Sequence, residues 1–407
     1  MKKKIVALVL VIALAASLAV ALAACDKSDG TLIFGPEDAD ITFGMICLHD
    51  ENSTYDKNFI DAARDLAEEK QVRVIVKTGI PESAACYDAA ADLVDQGCDI
   101  IFADSFGHET YVMQAAREFP EVQFAHATGT HAHTENIANF HNGFASIYEG
   151  RYLAGIVAGY KLNEMIANGD ITKAEAKMGY VGAFPYAEVV SGYTSFYLGA
   201  KSVCPSVTME VRYTSSWYDE AAEKSTAEAL IEAGCVLISQ HADSMGAPTA
   251  CEEAGVPNVT YNLATGNQCP DTYLVGSRIN WTPYYSYLVD CMRNGTEIAD
   301  DWTGTFATDS VKVLDFGVGV SQKAKDAVAA AEEALKAGTL KVFDCSTFTV
   351  NGEHLTSYMA DVDDAGDYVP ETEAIVKDGD IYYFAESVYR SAPYFDVRID
   401  GITEINN

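Results

Sequence analysis

The chain alternates short apolar runs with amphipathic stretches, and this alternation limits the possible folds more than any other feature of the sequence. The apolar runs have the length of strands, whereas the stretches between them carry apolar residues at helical spacing. Gly97 predicts the end of one such helix. Repeated strand–helix–strand units predict a parallel sheet with helices on both faces. In the first part of the chain the predicted strands are residues 41–48, 72–77, 99–103 and 122–127, and the predicted helices are residues 59–70, 83–96 and 109–119.

The same alternation begins again after residue 147 without a linker. Two successive doubly wound sheets predict an α/β protein with two lobes, a hinge and a cleft between the lobes. Ligands of open parallel sheets bind beyond the carboxyl ends of the strands, so each loop that follows a strand is a candidate site. The predicted helices of this second part are residues 148–165, 189–204, 221–233 and 245–254, and its predicted strands are residues 177–182, 207–213, 236–240 and 258–262. We assign residues 41–147 plus about 263–295 to lobe 1, residues 148–262 plus about 296–350 to lobe 2, and residues 351–407 to a C-terminal β-rich extension.

The N-terminus has the layout of an export signal. Lys2, Lys3 and Lys4 precede an apolar run that ends near Val20, and small residues then precede Cys25. This order predicts a lipoprotein signal peptide over residues 1–24, lipidation at Cys25 and a polar tether over residues 25–40. It places the protein at the cell membrane, lipid-anchored on the extracytoplasmic face. An ordinary secretory peptide followed by a chance cysteine is the alternative.

Charge and cysteine content exclude other classes. The 60 Asp and Glu residues against 27 Lys and Arg exclude nucleic acid as a partner, because nucleic-acid binding needs a basic surface. The cysteines beyond Cys25 are scattered singly, without the close spacing of zinc or redox motifs. Several lie in apolar patterns, where a cysteine behaves as a small buried hydrophobe.

An enzyme is not indicated. The sequence contains no nucleophile elbow, zinc-protease helix, Walker loop or dinucleotide fingerprint. His126, His131, His133 and His141 lie close in sequence, but no carboxylate or cysteine has matching spacing, which favours a polar loop cluster over a metal site. We therefore predict no catalytic residue, metal or cofactor. Only turnover of a bound ligand would support the hypothesis that the protein is an enzyme.

A binding site is better supported, because loops after the predicted strands combine aromatic and polar side chains. Aromatic faces stack on a flat heterocycle, while carboxylates and amides bind its N–H groups and ring nitrogens. This mixture suits a purine better than an ion or a peptide. Alternatively, the aromatic residues fill the core, and Glu188 and Asp219 are charges at helix N-termini. The candidates are Ser105, Phe106, Phe184, Glu188, Trp217, Asp219, His241, Asp243, Asn262 and Trp281.

Six ordered blocks between residues 41 and 342 resemble the basic membrane protein (BMP) family of substrate-binding lipoproteins. This resemblance implies a periplasmic-binding-protein type I fold with three crossovers between the lobes, and import of purine nucleosides or nucleobases through an ABC permease. The blocks are FADSFG (102–107), FPEVQFAHATG (119–129), YEGRYLAG (148–155), SWYD (216–219), QHADS (240–244) and NWTPYY (280–285).

The resemblance also implies roles for individual residues. Phe106 stacks on the ligand, and Trp217 and Trp281 wall the cleft. The first strand–helix loop contributes Asp50, Tyr55 and Asn58, and the polar edge of the ligand faces Asp243 and Asn262.

Two departures from the nucleoside-binding pattern favour a free purine base. Residues 56–60 read DKNFI where nucleoside-binding members usually have DKSFN, and Asn262 stands where they place an aspartate. The remaining alternatives are another flat or sugar-like solute, such as riboflavin or a pentose, and a ligand-sensing receptor that docks on a membrane sensor.

Overall fold

The computed structural model describes residues 30–362 and 369–405. The predicted signal peptide, Cys25 and the first residues of the predicted tether lie outside this part of the chain. Within it, no helix is long and apolar enough to cross a membrane.

The described residues form eighteen strands and ten helices. The strands are β1 (Thr31–Phe34), β2 (Thr42–Ile46), β3 (Arg73–Lys77), β4 (Ile100–Ala103), β5 (Gln123–Ala127), β6 (Phe140–Ala145), β7 (Lys177–Gly182), β8 (Thr208–Tyr213), β9 (Leu237–His241), β10 (Asn258–Tyr261), β11 (Tyr273–Ile279), β12 (Asp301–Gly304), β13 (Val311–Val313), β14 (Met359–Ala360), β15 (Thr372–Glu373), β16 (Ile375–Asp378), β17 (Ile381–Phe384) and β18 (Ile402–Ile405). The helices are α1 (Thr54–Lys70), α2 (Ala84–Asp95), α3 (Glu109–Glu118), α4 (Ala132–Glu135), α5 (Ile147–Asn168), α6 (Ala187–Val203), α7 (Glu220–Glu232), α8 (Gly246–Ala254), α9 (Thr282–Asn294) and α10 (Gln322–Lys336).

Two seven-stranded sheets organise the two lobes. The first has the strand order β1-β3-β2-β4-β5-β6-β12, and the second has the order β13-β11-β10-β9-β7-β8-β18. The central strands of each sheet pair in parallel, whereas β1 and β13 join their sheets antiparallel. All four residues of β4 and all five of β9 are buried, as expected for strands covered on both faces. The predicted α/β fold with two doubly wound lobes is confirmed.

Most predicted strands and helices match the structure within a few residues. The strand predicted over residues 177–182 coincides with β7, and Gly97 follows the last turn of α2 with φ 82°. This agreement reflects the strong periodicity of each segment and the capping residues at its ends.

The sheets divide the C-terminal part of the chain differently from our prediction. Strand β11 was expected in lobe 1, but it pairs in parallel with β10 of the second sheet. Strand β12 was expected in lobe 2, but it pairs with β6 at the edge of the first sheet. The chain therefore crosses between the sheets near residues 146, 280 and 308, which are three crossings within the described residues.

The predicted tether and extension also contribute to the sheets. Strand β1 lies within the predicted tether of residues 25–40 and pairs with β3. Strand β18 lies within the predicted extension and pairs with β8. Both strands satisfy backbone groups that an open sheet edge would otherwise expose.

The C-terminal extension contacts both lobes. The Ser391 N–H donates to Asp301 Oδ2 of β12 at 2.7 Å, and Arg398 Nη2 donates to the Pro185 carbonyl of the second lobe at 3.5 Å. Tyr148 Oη, on α5, donates to the Glu386 carbonyl at 3.3 Å. The extension is thus attached to both sides of the cleft.

All nine cysteines in the described residues are buried and free. Burial raises the pKa of the Cys86, Cys98 and Cys235 thiols to about 12. These cysteines pack as small apolar side chains, as their positions in apolar patterns predicted.

The buried carboxyl of Glu386 should make the free energy of unfolding depend on pH. Its carboxyl is fully buried, and burial raises its pKa from 4.5 to about 7 even though hydrogen bonds from neighbouring groups lower it. A carboxyl whose folded pKa is raised stabilises the fold fully below the unfolded pKa, and this stabilisation disappears as pH rises through the folded pKa. We expect the free energy of unfolding to fall by up to about 3 kcal/mol between pH 4.5 and 8 from this group alone. In Glu386→Gln this component should vanish.

Urea unfolding of both proteins at several pH values measures this difference. Glu371→Gln is the matched control, because Glu371 is exposed and should leave the pH profile unchanged. Identical pH slopes in the parent and Glu386→Gln would contradict the assignment.

Candidate ligand-binding site

A small cavity, with about 20 Å³ of free volume, lies between the lobes at the carboxyl ends of the central strands, and we call it the inner cavity. The first lobe lines it with residues that follow β2, β4 and β5, and the second lobe with residues at or beyond the ends of β7, β8 and β9. This is the position that parallel-sheet topology predicts for a ligand. Its lining consists of Leu48, His49, Tyr55, Asp56, Ser105, Phe106, Thr128, Glu188, Trp217, His241 and Asp243.

The first-lobe wall is held by the capped start of α1. Ser53 Oγ accepts from the Asp56 N–H at 3.2 Å and donates to Asp56 Oδ2 at 2.6 Å. The His49 N–H donates to Asp56 Oδ1 at 2.7 Å, and His49 Nδ1 lies 3.3 Å from Oδ2. Burial favours the neutral acid, but the hydrogen bonds from His49 and Ser53 outweigh it and lower the pKa of Asp56. The loop therefore presents an ionised carboxylate and an imidazole in a fixed arrangement.

The second-lobe wall places an aromatic ring beside two polar pairs. Trp217 is half-buried, and its ring meets the Phe184 ring edge-on at 5.1 Å and 67°. The Asp243 N–H donates to the Trp217 carbonyl at 3.0 Å, which couples the loops after β8 and β9. His241 Nε2 lies 3.3 Å from Glu188 Oε1. One flat apolar face and several hydrogen-bonding groups thus point into the same space.

Asp243 carries the least satisfied carboxyl of this wall. The residue is 5% exposed, and among the described residues neither a side-chain nor a backbone hydrogen bond stabilises its ionised form. Burial raises its pKa well above the usual value, and the nearby Glu223, Asp56 and Glu188 raise it further. Since an unpaired buried polar group is costly, this carboxyl is suited to a ligand N–H or O–H.

The lobes touch each other across the cleft. The Thr54 N–H, at the start of α1, donates to the Asp243 carbonyl of the second lobe at 2.8 Å. The Phe106 ring stacks on Tyr186 of the second lobe, with centroids 5.6 Å apart and planes at 29°. These contacts close the inner cavity from two sides.

The structure brings together seven of the thirteen ligand-binding residues predicted from the sequence. They line the inner cavity and are Tyr55, Ser105, Phe106, Glu188, Trp217, His241 and Asp243.

Trp281 does not wall the cleft, and the sequence prediction is corrected here. Its side chain is 1% exposed and stacks on Phe59 at 4.5 Å and 24° within the first lobe. The residue directly precedes α9 at its N-cap position, and Tyr285 of α9 stacks on the Trp281 ring in the same core. The core-filling alternative holds for Trp281.

Three of the predicted polar residues form hydrogen bonds within the protein and do not line the cavity. Asp219 caps α7 by accepting from the Ala222 N–H at 2.9 Å, as the helix-terminus alternative expected. Asp50 is exposed and accepts from Asn52 in a turn. Asn58 donates to the Ile279 carbonyl at 2.8 Å, beside one of the crossings between the lobes.

Phe184 and Asn262 lie outside the cavity lining. Phe184 supports Trp217 and stacks on Tyr186 at 5.1 Å and 15°. Asn262 is buried and has φ 64°, and its N–H donates to the Ser277 carbonyl at 2.9 Å. Phe184 therefore acts through its contact with Trp217 and does not line the cavity itself.

The sequence prediction missed four lining residues, Leu48, His49, Asp56 and Thr128. Leu48, His49 and Thr128 lie at or directly after the end of a predicted strand, and Asp56 stands next to Tyr55, so these positions are the available signals. Neither His49 nor Thr128 stands beside an aromatic residue in the sequence, so the combination of aromatic and polar residues does not single them out.

One group beneath the cavity has the composition of a metal site. Ligand atoms of Cys47, Asp56 and Asp104 lie within 4.8 Å of one another. Burial raises the pKa of Cys47 and of Asp104 well above their usual values, and both Asp56 oxygens accept from His49 and Ser53. Protonated groups and engaged oxygens are poor ligands, so we assign no metal to this group.

Comparison with known proteins identifies the family. The model of the Bmp family, described as ABC transporter substrate-binding protein PnrA-like, matches residues 47–339. The chain belongs to the Bmp family. ABC transporter substrate-binding proteins are non-enzymatic, and they work outside the cytoplasm, next to the membrane, with a small-molecule ligand and a permease.

Similar proteins of this kind carry different ligand names. A purine-binding protein of Brucella abortus is 30% identical over 74% of this chain and 79% of its own length. A Haloferax volcanii protein, provisionally named an ABC transporter glucose-binding protein, is 35% identical over 61% of this chain and 60% of its own length. A nucleoside-binding protein of Lactococcus lactis is 24% identical over 60% of this chain and 67% of its own length.

Solved structures confirm the type I periplasmic-binding-protein fold. A solute-binding protein of an ABC transporter from Aeropyrum pernix superposes with a TM-score of 0.62 at 17% identity, over 77% of this chain and 94% of its own. One from Conexibacter woesei gives 0.59 at 20% identity, over 74% of this chain and 98% of its own. The Bmp family match ends at residue 339, so the C-terminal extension lies beyond it.

Proposed function

We propose that this Bmp-family protein is a lipid-anchored receptor that binds a purine nucleobase or nucleoside and delivers it to an ABC importer. One observation carries the proposal: the unpaired Asp243 carboxyl lies beside Trp217 in a cavity that Phe106 lines from the other lobe. A purine presents two flat faces for aromatic rings and N–H groups at its edge for a carboxylate.

The charge of the inner cavity supports a ligand rich in hydrogen-bond donors. Asp56, Glu188 and Asp243 line it, together with the imidazoles of His49 and His241. Carboxylates only accept hydrogen bonds when ionised, and a protonated Asp243 could donate one as well. Amino and imino groups of a base satisfy this lining, whereas a phosphate would meet like charge. The names of the Brucella and Lactococcus relatives agree with this ligand class.

A sugar is the second candidate. Aromatic rings also pack on the apolar faces of sugars, and the same carboxylates accept from sugar hydroxyls. The Haloferax relative, whose provisional name specifies glucose, makes this the alternative to test directly.

A thermal-shift panel of purine bases, purine nucleosides, riboflavin, pentoses and glucose separates these candidates, with calorimetry on each positive ligand. We expect a purine to raise the melting temperature, since a ligand that binds only the folded state stabilises it. If only glucose or a pentose raised the melting temperature, the purine proposal would be wrong and the ligand would be a sugar.

The anchor has its own test. Cys25→Ser should release the protein from membranes or leave an uncleaved precursor, because the thioether to the lipid cannot form. Detergent-phase partitioning measures this, with Ser28→Ala as the matched control close to the cysteine. An unchanged distribution of Cys25→Ser would refute the anchor.

A further inference from the structure

The loop after β5 contains a strained residue in the first-lobe wall of the inner cavity. Thr128 has φ 62°, a left-handed conformation that costs a β-branched residue energy and that clusters at functional sites. Thr128 lines the inner cavity, and its Oγ1 has no hydrogen-bond partner among the described residues. Contacts made by the rest of the loop must therefore stabilise this conformation.

A buried carboxylate supplies these contacts. Glu109 is the first residue of α3 and is 5% exposed. Its Oε1 accepts from the N–H groups of Thr130 and His131 at 2.8 and 2.9 Å, and His131 Nδ1 lies 2.7 Å from Oε2. Burial favours the neutral acid, but the hydrogen bond with the His131 ring and the nearby imidazole of His126 lower the pKa of Glu109 to about 2. The loop is thus bound to an ionised carboxylate, and such hydrogen bonds are roughly twice as strong as neutral ones.

Gly129 lets the backbone approach this carboxylate. A Cβ atom at this position would lie 2.5 Å from Glu109 Oε1 and 2.6 Å from His126 Nδ1, which is closer than non-bonded atoms pack. Asn142, on β6, completes the group. Its Nδ2 donates to Glu109 Oε1 at 3.2 Å, and its Oδ1 accepts from the Ala132 N–H at 2.8 Å. The carboxylate therefore joins the loop after β5 to the neighbouring strand.

The same group of residues reaches the loop after β4. Glu109 follows Phe106 by three positions, after a single helical turn. His126 Nε2, on β5, lies 2.6 Å from the Ser105 carbonyl. Ser105, Phe106 and Thr128 all line the inner cavity, whereas Glu109 is not one of its lining residues. Glu109 is therefore placed to act on the cavity through the loops that form its wall.

We propose that Glu109 is a positioning residue for ligand binding, which holds the loop after β5 so that the Thr128 hydroxyl faces the ligand. The inference rests on the proposed purine function, since it concerns the same cavity. A ligand that meets a hydroxyl already fixed in place does not have to order the loop, and this preorganisation adds to affinity. Without the carboxylate, Thr128 would relax to the negative φ that its side chain favours and withdraw the hydroxyl.

Calorimetric titration of the full mature chain tests this with whichever of adenine, guanine, adenosine and guanosine binds the parent protein tightest. Glu109→Ala should weaken binding about tenfold, which is the worth of one hydrogen bond from a preorganised group. Glu109→Gln should weaken binding less than about threefold, because its amide oxygen still accepts from both loop N–H groups. If Glu109→Ala does not fold, Glu109→Asp, whose carboxyl is one carbon shorter, replaces it, with a loss in the same direction.

Asn139→Ala is the matched control. Asn139 is as buried as Glu109 and donates to the backbone carbonyls of Ala116, Phe119 and Val122 at 2.8–3.1 Å. It directly precedes β6, at the amino-terminal edge of the sheet, away from the cleft. This variant should lower the melting temperature without weakening ligand binding by the folded protein, which separates positioning from general stability.

A double-mutant cycle measures whether Glu109 acts through Thr128. Thr128→Val removes the hydroxyl and keeps a β-branched side chain, so it should itself weaken binding about tenfold. Residues that act through one another have non-additive effects, so adding Glu109→Ala to Thr128→Val should weaken binding less than about threefold further. A purely structural role predicts that the two losses multiply.

The outcomes separate this inference from the proposed function. If a purine binds the parent and Glu109→Ala equally tightly, or if the losses multiply in the double variant, Glu109 is not a positioning residue while purine binding stands. An equal loss of affinity in Asn139→Ala would also overturn the inference. Failure of every purine to bind the parent protein would overturn both proposals.

Discussion

Replacing Trp217 with alanine is expected to weaken purine binding about ten- to hundredfold while leaving the fold nearly intact. Trp217 is half-buried and lines the inner cavity, so its ring is available to a ligand. Stacking of a base on an aromatic side chain is worth about 1–3 kcal/mol, which corresponds to this change in affinity. Calorimetric titration gives the affinity, and a melting curve of the same sample gives the stability.

The neighbouring Phe184 provides a matched control for the Trp217 variant. Phe184 packs against Trp217 but does not line the inner cavity, so Phe184→Ala should reduce affinity less than Trp217→Ala. A well-folded Trp217→Ala protein that binds its purine as tightly as the parent would refute stacking on this residue.

Replacing Trp281 with alanine should have the opposite pattern, a large loss of stability with little change in the affinity of the folded protein. The side chain is buried in the first lobe, stacked on Phe59 and packed against Phe102. Truncating a buried aromatic side chain typically costs about 3–5 kcal/mol, because the cavity it leaves is only partly filled by its neighbours. Urea unfolding measures this loss.

Trp281→Phe is the conservative control, since it keeps an aromatic ring in the same core and should cost less than the alanine variant. If Trp281→Ala were as stable as the parent but failed to bind, the residue would belong to the site after all. The two variants together test whether Trp217 lines the ligand cavity and Trp281 belongs to the core, as the structure indicates.

The fold was predictable because its signals are local and repeated. Strand β7 and helix α3 follow directly from apolar periodicity, and the restart of the pattern after residue 147 predicts the second lobe. Sheet membership was less predictable. Strands β11 and β12 lie in the sheets opposite to those predicted, and the sequence of a short strand carries no information about its partner.

The site was predictable in its position and only partly in its residues. Phe106, Trp217 and Trp281 all follow strands and stand beside polar residues, yet Trp281 turns into the core. Burial of a side chain depends on the packing of its helix, which the identity of the residue does not determine.

The strained residue and the reach of the C-terminal extension could not be anticipated. The φ of 62° at Thr128 is imposed by its surroundings, since a β-branched residue does not favour the left-handed region. Arg398 of the C-terminal extension reaches the second lobe from about 180 positions beyond Trp217, through its bond to the Pro185 carbonyl.

A crystal structure of the mature protein with its tightest-binding purine tests the central claim most directly. We predict that the ring lies in the inner cavity, between the Phe106 and Trp217 side chains, with a ring or exocyclic N–H donating to the Asp243 carboxyl. A purine bound elsewhere on the molecule, or within the cleft without contact to Trp217 and Asp243, would contradict the account.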